Sequence, residues 1–126
     1  MHERRKRILL VDDSEIFLEA ARVALSEAGY EVMCASSLAQ LVELRKRGLS
    51  DLVLMDVQMP EAFGDDVALS LREAYGISAP IYLLSSLDES DLAERVEWAR
   101  VEGFISKEVG LEGLVERVRS ILRTAP

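Results

Sequence analysis

The sequence predicts an α/β fold: a doubly wound sheet of five parallel strands in the order 2-1-3-4-5, with helices on both faces. Two observations carry this. Five short apolar runs alternate with five stretches of helical periodicity over 126 residues, which calls for a parallel sheet covered on both sides. Right-handed crossovers leave few strand orders, and the strand ends choose among them. Runs one, three, four and five each finish on a polar or charged side chain in a position to act; run two finishes on serines and carries no ionisable group. A shared site needs those four strands side by side with strand two outside. The crevice then lies beyond the carboxyl ends of strands one and three, where the order reverses.

Each element has a local reason. Arg4-Arg5-Lys6-Arg7 reads as a solvated, basic approach to the first strand, with residues 1–6 set apart from a domain spanning 7–124. Ile8-Leu9-Leu10-Val11 is the first strand and ends on Asp12-Asp13. The helix after it places Phe17, Ala21, Leu25 and Ala28 on one face, and Gly29 supplies its stop. Tyr30 to Ala35 is the second strand. Ser37 with Gln40 resembles a capping box, opening a helix with apolar positions Leu38, Leu41, Val42 and Leu44 that Gly48 ends. Leu52-Val53-Leu54-Met55 is buried on both faces and stops on Asp56, with Pro60 beyond.

Gly64 leads a third helix, with Asp65-Asp66 at its positive end and Val67, Leu71 and Ala74 on a stripe. Pro80 introduces Ile81-Tyr82-Leu83-Leu84, which ends on Ser85-Ser86. Asp88 to Glu102 is the fourth helix, with Leu92, Val96 and Ala99 inward and Gly103 as its stop. Trp98 falls off that stripe and is expected partly exposed near Val101, on a face suited to docking. Phe104-Ile105-Ser106 is a short fifth strand ending on Lys107. Leu111, Leu114, Val115, Val118, Ile121 and Leu122 give the last helix the clearest period of all.

Composition bounds the function. Apolar residues make up 49% and charged residues 30%, a globular balance. A net charge of -8 argues against direct nucleic-acid binding and against an anionic membrane as partner. No apolar run is long enough to insert in a membrane. Cys34 is the only cysteine, which excludes an internal disulfide and points to a reducing, cytoplasmic compartment; it reads as a small buried hydrophobe. His2 is the only histidine and lies in the tail, so histidine triads and histidine-rich metal sites are excluded.

The predicted order brings Asp12, Asp13 and Asp56 together. Like charges this close disfavour one another's ionisation, and a hard divalent cation relieves them; carboxylate oxygen with water suits Mg²⁺. Lys107 and Ser85 add a point cation and a hydroxyl donor. That set fits a transferring phosphoryl group, whose charge spreads over three oxygens, with Asp56 as the nucleophile. Taken singly, Asp13 reads as a helix cap, Ser85 as a turn residue, Lys107 as a surface lysine and Phe104 as core. Their convergence is the signal.

These residues also carry a resemblance. Ile8-Leu9-Leu10-Val11-Asp12-Asp13-Ser14, Asp56-Val57-Gln58-Met59-Pro60 with Gly64, Ser85-Ser86, and Gly103-Phe104-Ile105-Ser106-Lys107 resemble the receiver domain of bacterial two-component response regulators, a flavodoxin-like (βα)5 fold. The resemblance covers nearly the whole chain. It implies that Asp56 accepts a phosphoryl group from the phosphohistidine of a sensor histidine kinase or phosphotransfer protein. It implies that Asp12 and Asp13 hold Mg²⁺ with Asp56 and the backbone carbonyl of Gln58. Ser85 would turn toward the phosphoryl group, Lys107 would pair with it, and Phe104 would swing inward. The surface of the fourth helix, fifth strand and last helix would then repack for a downstream protein partner or output domain.

Two positions depart from the family pattern. Phe63 stands where an acid usually precedes the glycine, and Glu108 stands where proline usually follows the lysine. Without that proline the Lys107–Glu108 bond is expected to be trans. Gly110 should absorb the altered path, Lys107 should still reach Asp56, and Glu108 should face solvent. Two other readings compete: a pseudo-receiver that keeps the fold as a phosphorylation-independent interaction domain, and a Mg²⁺-dependent phosphatase with an aspartate nucleophile. The second would want another acid beside Asp56, where Val57 stands, and a lid that no connection is long enough to form.

Overall fold

The computed structural model describes residues 5–45, 50–57, 69, 78–86 and 101–124. Its sheet holds five parallel strands in the order β2-β1-β3-β4-β5. They are β1 (Arg7–Val11), β2 (Glu31–Ala35), β3 (Leu52–Asp56), β4 (Ile81–Ser85) and β5 (Gly103–Ser106). The central β3 is buried at every position, as expected for a parallel strand covered on both sides.

Strand alternation sorts the core into two layers. Leu9, Val11, Val53, Met55, Ile81 and Leu83 face one way, joined by Leu41 and Val101. Ile8, Leu10, Leu52, Leu54, Leu84 and Ile105 face the other. They pack against Leu18, Ala21 and Leu25 of α1 (Glu15–Glu27) and Leu114, Val118, Ile121 and Leu122 of the C-terminal helix (Gly110–Thr124). So α1 and the C-terminal helix lie on the same face of the sheet.

Several boundaries and faces differ from expectation. In α1 the buried stripe is Leu18, Ala21 and Leu25. Phe17 sits at its border and Ala28 is the C-cap. In α2 (Leu38–Arg45) Leu41 is buried and Leu44 packs against the core. Ser37 Oγ accepts from the Gln40 N–H at 3.2 Å as a cap should, but Gln40 Oε1 takes the N–H of Ser36, at 2.7 Å, rather than that of Ser37. The reciprocal half of the capping box is therefore displaced by one residue.

Val101 and Glu102 lie outside any helix, and Gly103 opens β5 instead of stopping a helix. Gly103 is where it is because the Tyr82 ring crosses it: a Cβ there would stand 2.9 Å from Tyr82 Cε2. Leu111, expected inward, is 38% exposed. The third and fourth helices, apart from helical Leu69, fall outside the described residues, as do Phe63 and Trp98.

Candidate phosphoacceptor site

The candidate residues meet at the carboxyl end of the sheet. Asp12 follows β1 directly and is fully buried; its N–H donates to Ala35 O across the β2 edge at 3.1 Å. Asp56 ends β3, is 4% exposed, and pairs in register with Leu84 of β4. Asp13 is exposed, on the turn into α1. One carboxylate oxygen from each of the three lies within 4.8 Å of the others.

The loop geometry has a local cause. Asp12 Oδ1 accepts the Ser14 N–H at 2.9 Å, closing an Asx turn, and Ser14 Oγ accepts the Phe17 N–H at 3.2 Å as the N-cap of α1. Asp12 is thus oriented by its own turn before any long-range partner contributes.

Lys107 enters from the end of β5. Its Nζ stands 2.6 Å from Asp12 Oδ2 and 3.8 Å from Asp56 Oδ1. The Asp12 contact is an ion pair without hydrogen-bond geometry, which leaves the buried Oδ2 short of a directed donor. The ammonium also lies over the Phe17 ring, 4.6 Å from its centroid. No peptide bond is cis among the described residues, so Lys107–Glu108 is trans as expected. A short 3₁₀ turn, Lys107–Val109, follows; the Ser106 hydroxyl accepts the Glu108 N–H at 3.1 Å. Gly110 leaves it at φ +73°, a conformation that L side chains rarely adopt. Glu108 is exposed.

Three carboxylates against one ammonium leave the cluster formally two charges negative. Together with the under-satisfied Asp12 Oδ2, this all-oxygen set fits a hard divalent cation such as Mg²⁺. Gln58 lies outside the described residues. Ser85 is buried at the end of β4, one residue past the register partner of Asp56. Alternation places it on the sheet face of Ile81 and Leu83, the face against which Phe104 packs. Phe104 pairs with Leu83 while Ser106 pairs with Ser85, so Phe104 and Ser85 are diagonal neighbours across β4 and β5.

A family model for the response regulator receiver domain matches residues 8–119. The chain belongs to the response regulator receiver domain family. Relatives of this receiver include the response regulator MprA of Mycobacterium leprae, 35% identical over 119 residues, which cover 93% of this chain and 51% of MprA. The polar-differentiation response regulator DivK of Brucella ovis is 26% identical over 121 residues, which cover 95% of this chain and 98% of DivK. The receiver therefore spans about half the length of the MprA proteins it matches and nearly all of DivK. Among solved structures, the chemotaxis protein CheY4 of Vibrio cholerae superposes with a TM-score of 0.86 at 22% identity, over 94% of this chain and 99% of that one. A response regulator from Thermotoga maritima gives 0.82 at 26% identity, over 96% and 100%.

Two features of the receiver were not legible in its sequence. One is the contact of Phe17 with Lys107, since helical spacing groups Phe17 with the inward face of Ala21 and Leu25. The other is a strip on the outer side of α1: Ile16 (86% exposed), Ala20, Val23 (40% exposed) and Ala24, continued by Leu111 and rimmed by Glu15, Glu19 and Glu27. The spacing of Ile16, Ala20 and Val23 is itself helical, so a second apolar stripe beside the core stripe was the available signal. Among the described residues no helix is long and apolar enough to cross a membrane.

Proposed function

We propose that this receiver is a phosphoacceptor switch in which Asp56 takes a phosphoryl group from the phosphohistidine of a sensor histidine kinase or phosphotransfer protein. The observation that carries the reading is the convergence of three carboxylates within 4.8 Å, with the Lys107 ammonium beside two of them. A carboxylate oxygen of Asp56 attacks phosphorus, the P–N bond to the donor imidazole breaks, and its electron pair leaves with that ring. The product is an acyl phosphate on Asp56.

Asp12, Asp13 and Asp56, with the Gln58 carbonyl, would hold Mg²⁺. A divalent cation held by these residues would supply neutralisation of charge on the phosphoryl oxygens. Lys107 pairs with a phosphoryl oxygen, moving its contact from Asp12 toward Asp56. Ser85 donates its hydroxyl to another oxygen, and Phe104, on the same sheet face, follows it inward. The surface of the fourth helix, β5 and the C-terminal helix then presents a changed face to a downstream partner or output domain. The domain acts on itself, with slow loss of the phosphoryl group, and is not a turnover enzyme. A reducing, cytoplasmic setting suits its single free thiol at Cys34.

The apolar strip on α1 supplies a seat for the phosphodonor. It begins at Ile16, three residues after Asp13, and its glutamate rim favours an amphipathic helix with basic flanks. Incubation with acetyl phosphate and Mg²⁺, followed by intact mass, tests the phosphoacceptor role of Asp56. A phospho-adduct that Asp56→Asn abolishes is expected. No adduct at all favours the pseudo-receiver, and rapid phosphate release from many donors favours a phosphatase.

A further inference from the structure

Lys107 is enclosed more closely than a role as a mobile counter-charge requires. Its side chain is 24% exposed, with Asp12 Oδ2 at 2.6 Å, Asp56 Oδ1 at 3.8 Å and the Phe17 ring centroid at 4.6 Å. These contacts close a circuit. The Ser14 N–H bonds to Asp12 Oδ1, the Phe17 N–H bonds to Ser14 Oγ, the Phe17 ring faces the Lys107 ammonium, and that ammonium returns to Asp12 Oδ2. The first turn of α1 therefore holds both ends of the contact between Asp12 and Lys107.

We infer that Phe17 is a positioning residue for Lys107 in phosphoryl transfer, an inference that rests on the phosphoacceptor reading above. A lysine has four rotatable side-chain bonds and loses considerable rotamer freedom when fixed. Asp12 alone would hold it by a charged contact at 2.6 Å, closer than the 3.8 Å to Asp56. The ring face attracts the ammonium electrostatically without accepting a directed hydrogen bond. It confines the ammonium to the gap between the two carboxylates while leaving N–H donors for an incoming phosphoryl oxygen. Proximity of this kind accelerates transfer because the search is completed before the reaction begins. Leucine at position 17 would fill similar apolar space with no ring face; tyrosine would keep one.

The test uses the full chain, acetyl phosphate as donor and saturating Mg²⁺, so that docking of a protein donor plays no part. Phe17→Leu is expected to label about three- to tenfold more slowly than the parent and Phe17→Tyr to recover most of the rate, with both variants melting near the parent. In a Lys107→Ala background Phe17→Leu should bring no further loss, since the two residues act as one unit. A second readout is independent of the reaction. In metal-free protein the Lys107 ε-methylene protons should be shifted upfield by the ring, and the shift should vanish in Phe17→Leu and persist in Phe17→Tyr. Parental labelling by Phe17→Leu, an undiminished loss in the Lys107→Ala background, or absence of the ring shift in the parent each overturns the role of Phe17. A parent chain that takes no phosphoryl group overturns the phosphoacceptor reading as well.

Discussion

Asp13 differs from its two acidic neighbours in being exposed, while Asp12 and Asp56 are sealed. Burial and the Ser14 N–H hold Asp12 in place without an ion; Asp13 has no such structural duty that its position imposes. We therefore expect Asp13→Ala to fold normally and to lose labelling by acetyl phosphate at ordinary Mg²⁺, with partial recovery as Mg²⁺ is raised. Labelling equal to the parent at low Mg²⁺ would remove Asp13 from the metal set. Cys34 illustrates the opposite case, a polarisable side chain with no part in the chemistry. Burial pushes its thiol upward from the ordinary value, opposed by nearby Arg22, and keeps it in the neutral form.

At the scale of elements, the seam between β4, β5 and the C-terminal helix concentrates the packing that a switch must respect. Tyr82 lies flat against Gly103, and Arg117 of the C-terminal helix stands over the Tyr82 ring at 5.8 Å while its guanidinium donates to Phe104 O at 3.2 Å. One arginine thereby ties the C-terminal helix to the carbonyl of an edge strand. Gly103→Ala would drive a methyl into the Tyr82 ring, 2.9 Å from Cε2. It should cost about 1–3 kcal/mol, the range for inserting a methylene into a packed site. Urea denaturation monitored by circular dichroism would measure it, and a loss below a few tenths of a kcal/mol would mean that the Tyr82 ring gives way freely.

At the scale of the molecule, α1 and the C-terminal helix share a face, and Leu111 of the latter joins Ile16, Ala20 and Val23 of α1 in one apolar strip, whose Ile16 end lies three residues after Asp13. A partner seated there would present its donor group close to Asp56. Ile16→Asp is expected to lower, by tenfold or more, the ratio of labelling by a phosphohistidine protein to labelling by acetyl phosphate. Because Ile16 is 86% exposed, the substitution should leave the unfolding free energy within about half a kcal/mol of the parent. An unchanged ratio would place the donor elsewhere.

The amino-acid sequence by itself determined the strands, their order and the residues at their carboxyl ends. Short apolar runs stopping on Asp12, Asp56, Ser85 and Lys107 need only period-two alternation and the crossover rule to become one crevice. Names for the chemistry of that crevice came from resemblance as well as from charge. Tertiary structure alone decided what lies at the edges of the helical faces. Phe17 and Leu18 are neighbours about 100° apart on α1, and a broad apolar stripe admits either as its border. Only the tertiary placement of α1, packed against β2 and the C-terminal helix, turns Phe17 toward Lys107 and Leu18 into the core. The same holds for Leu111, whose period is flawless yet which is 38% exposed and joins the apolar strip of α1 outside the core. Gly103 reads locally as a helix stop; what requires a glycine there is the Tyr82 ring on the adjacent strand, a register partner that strand order alone does not reveal.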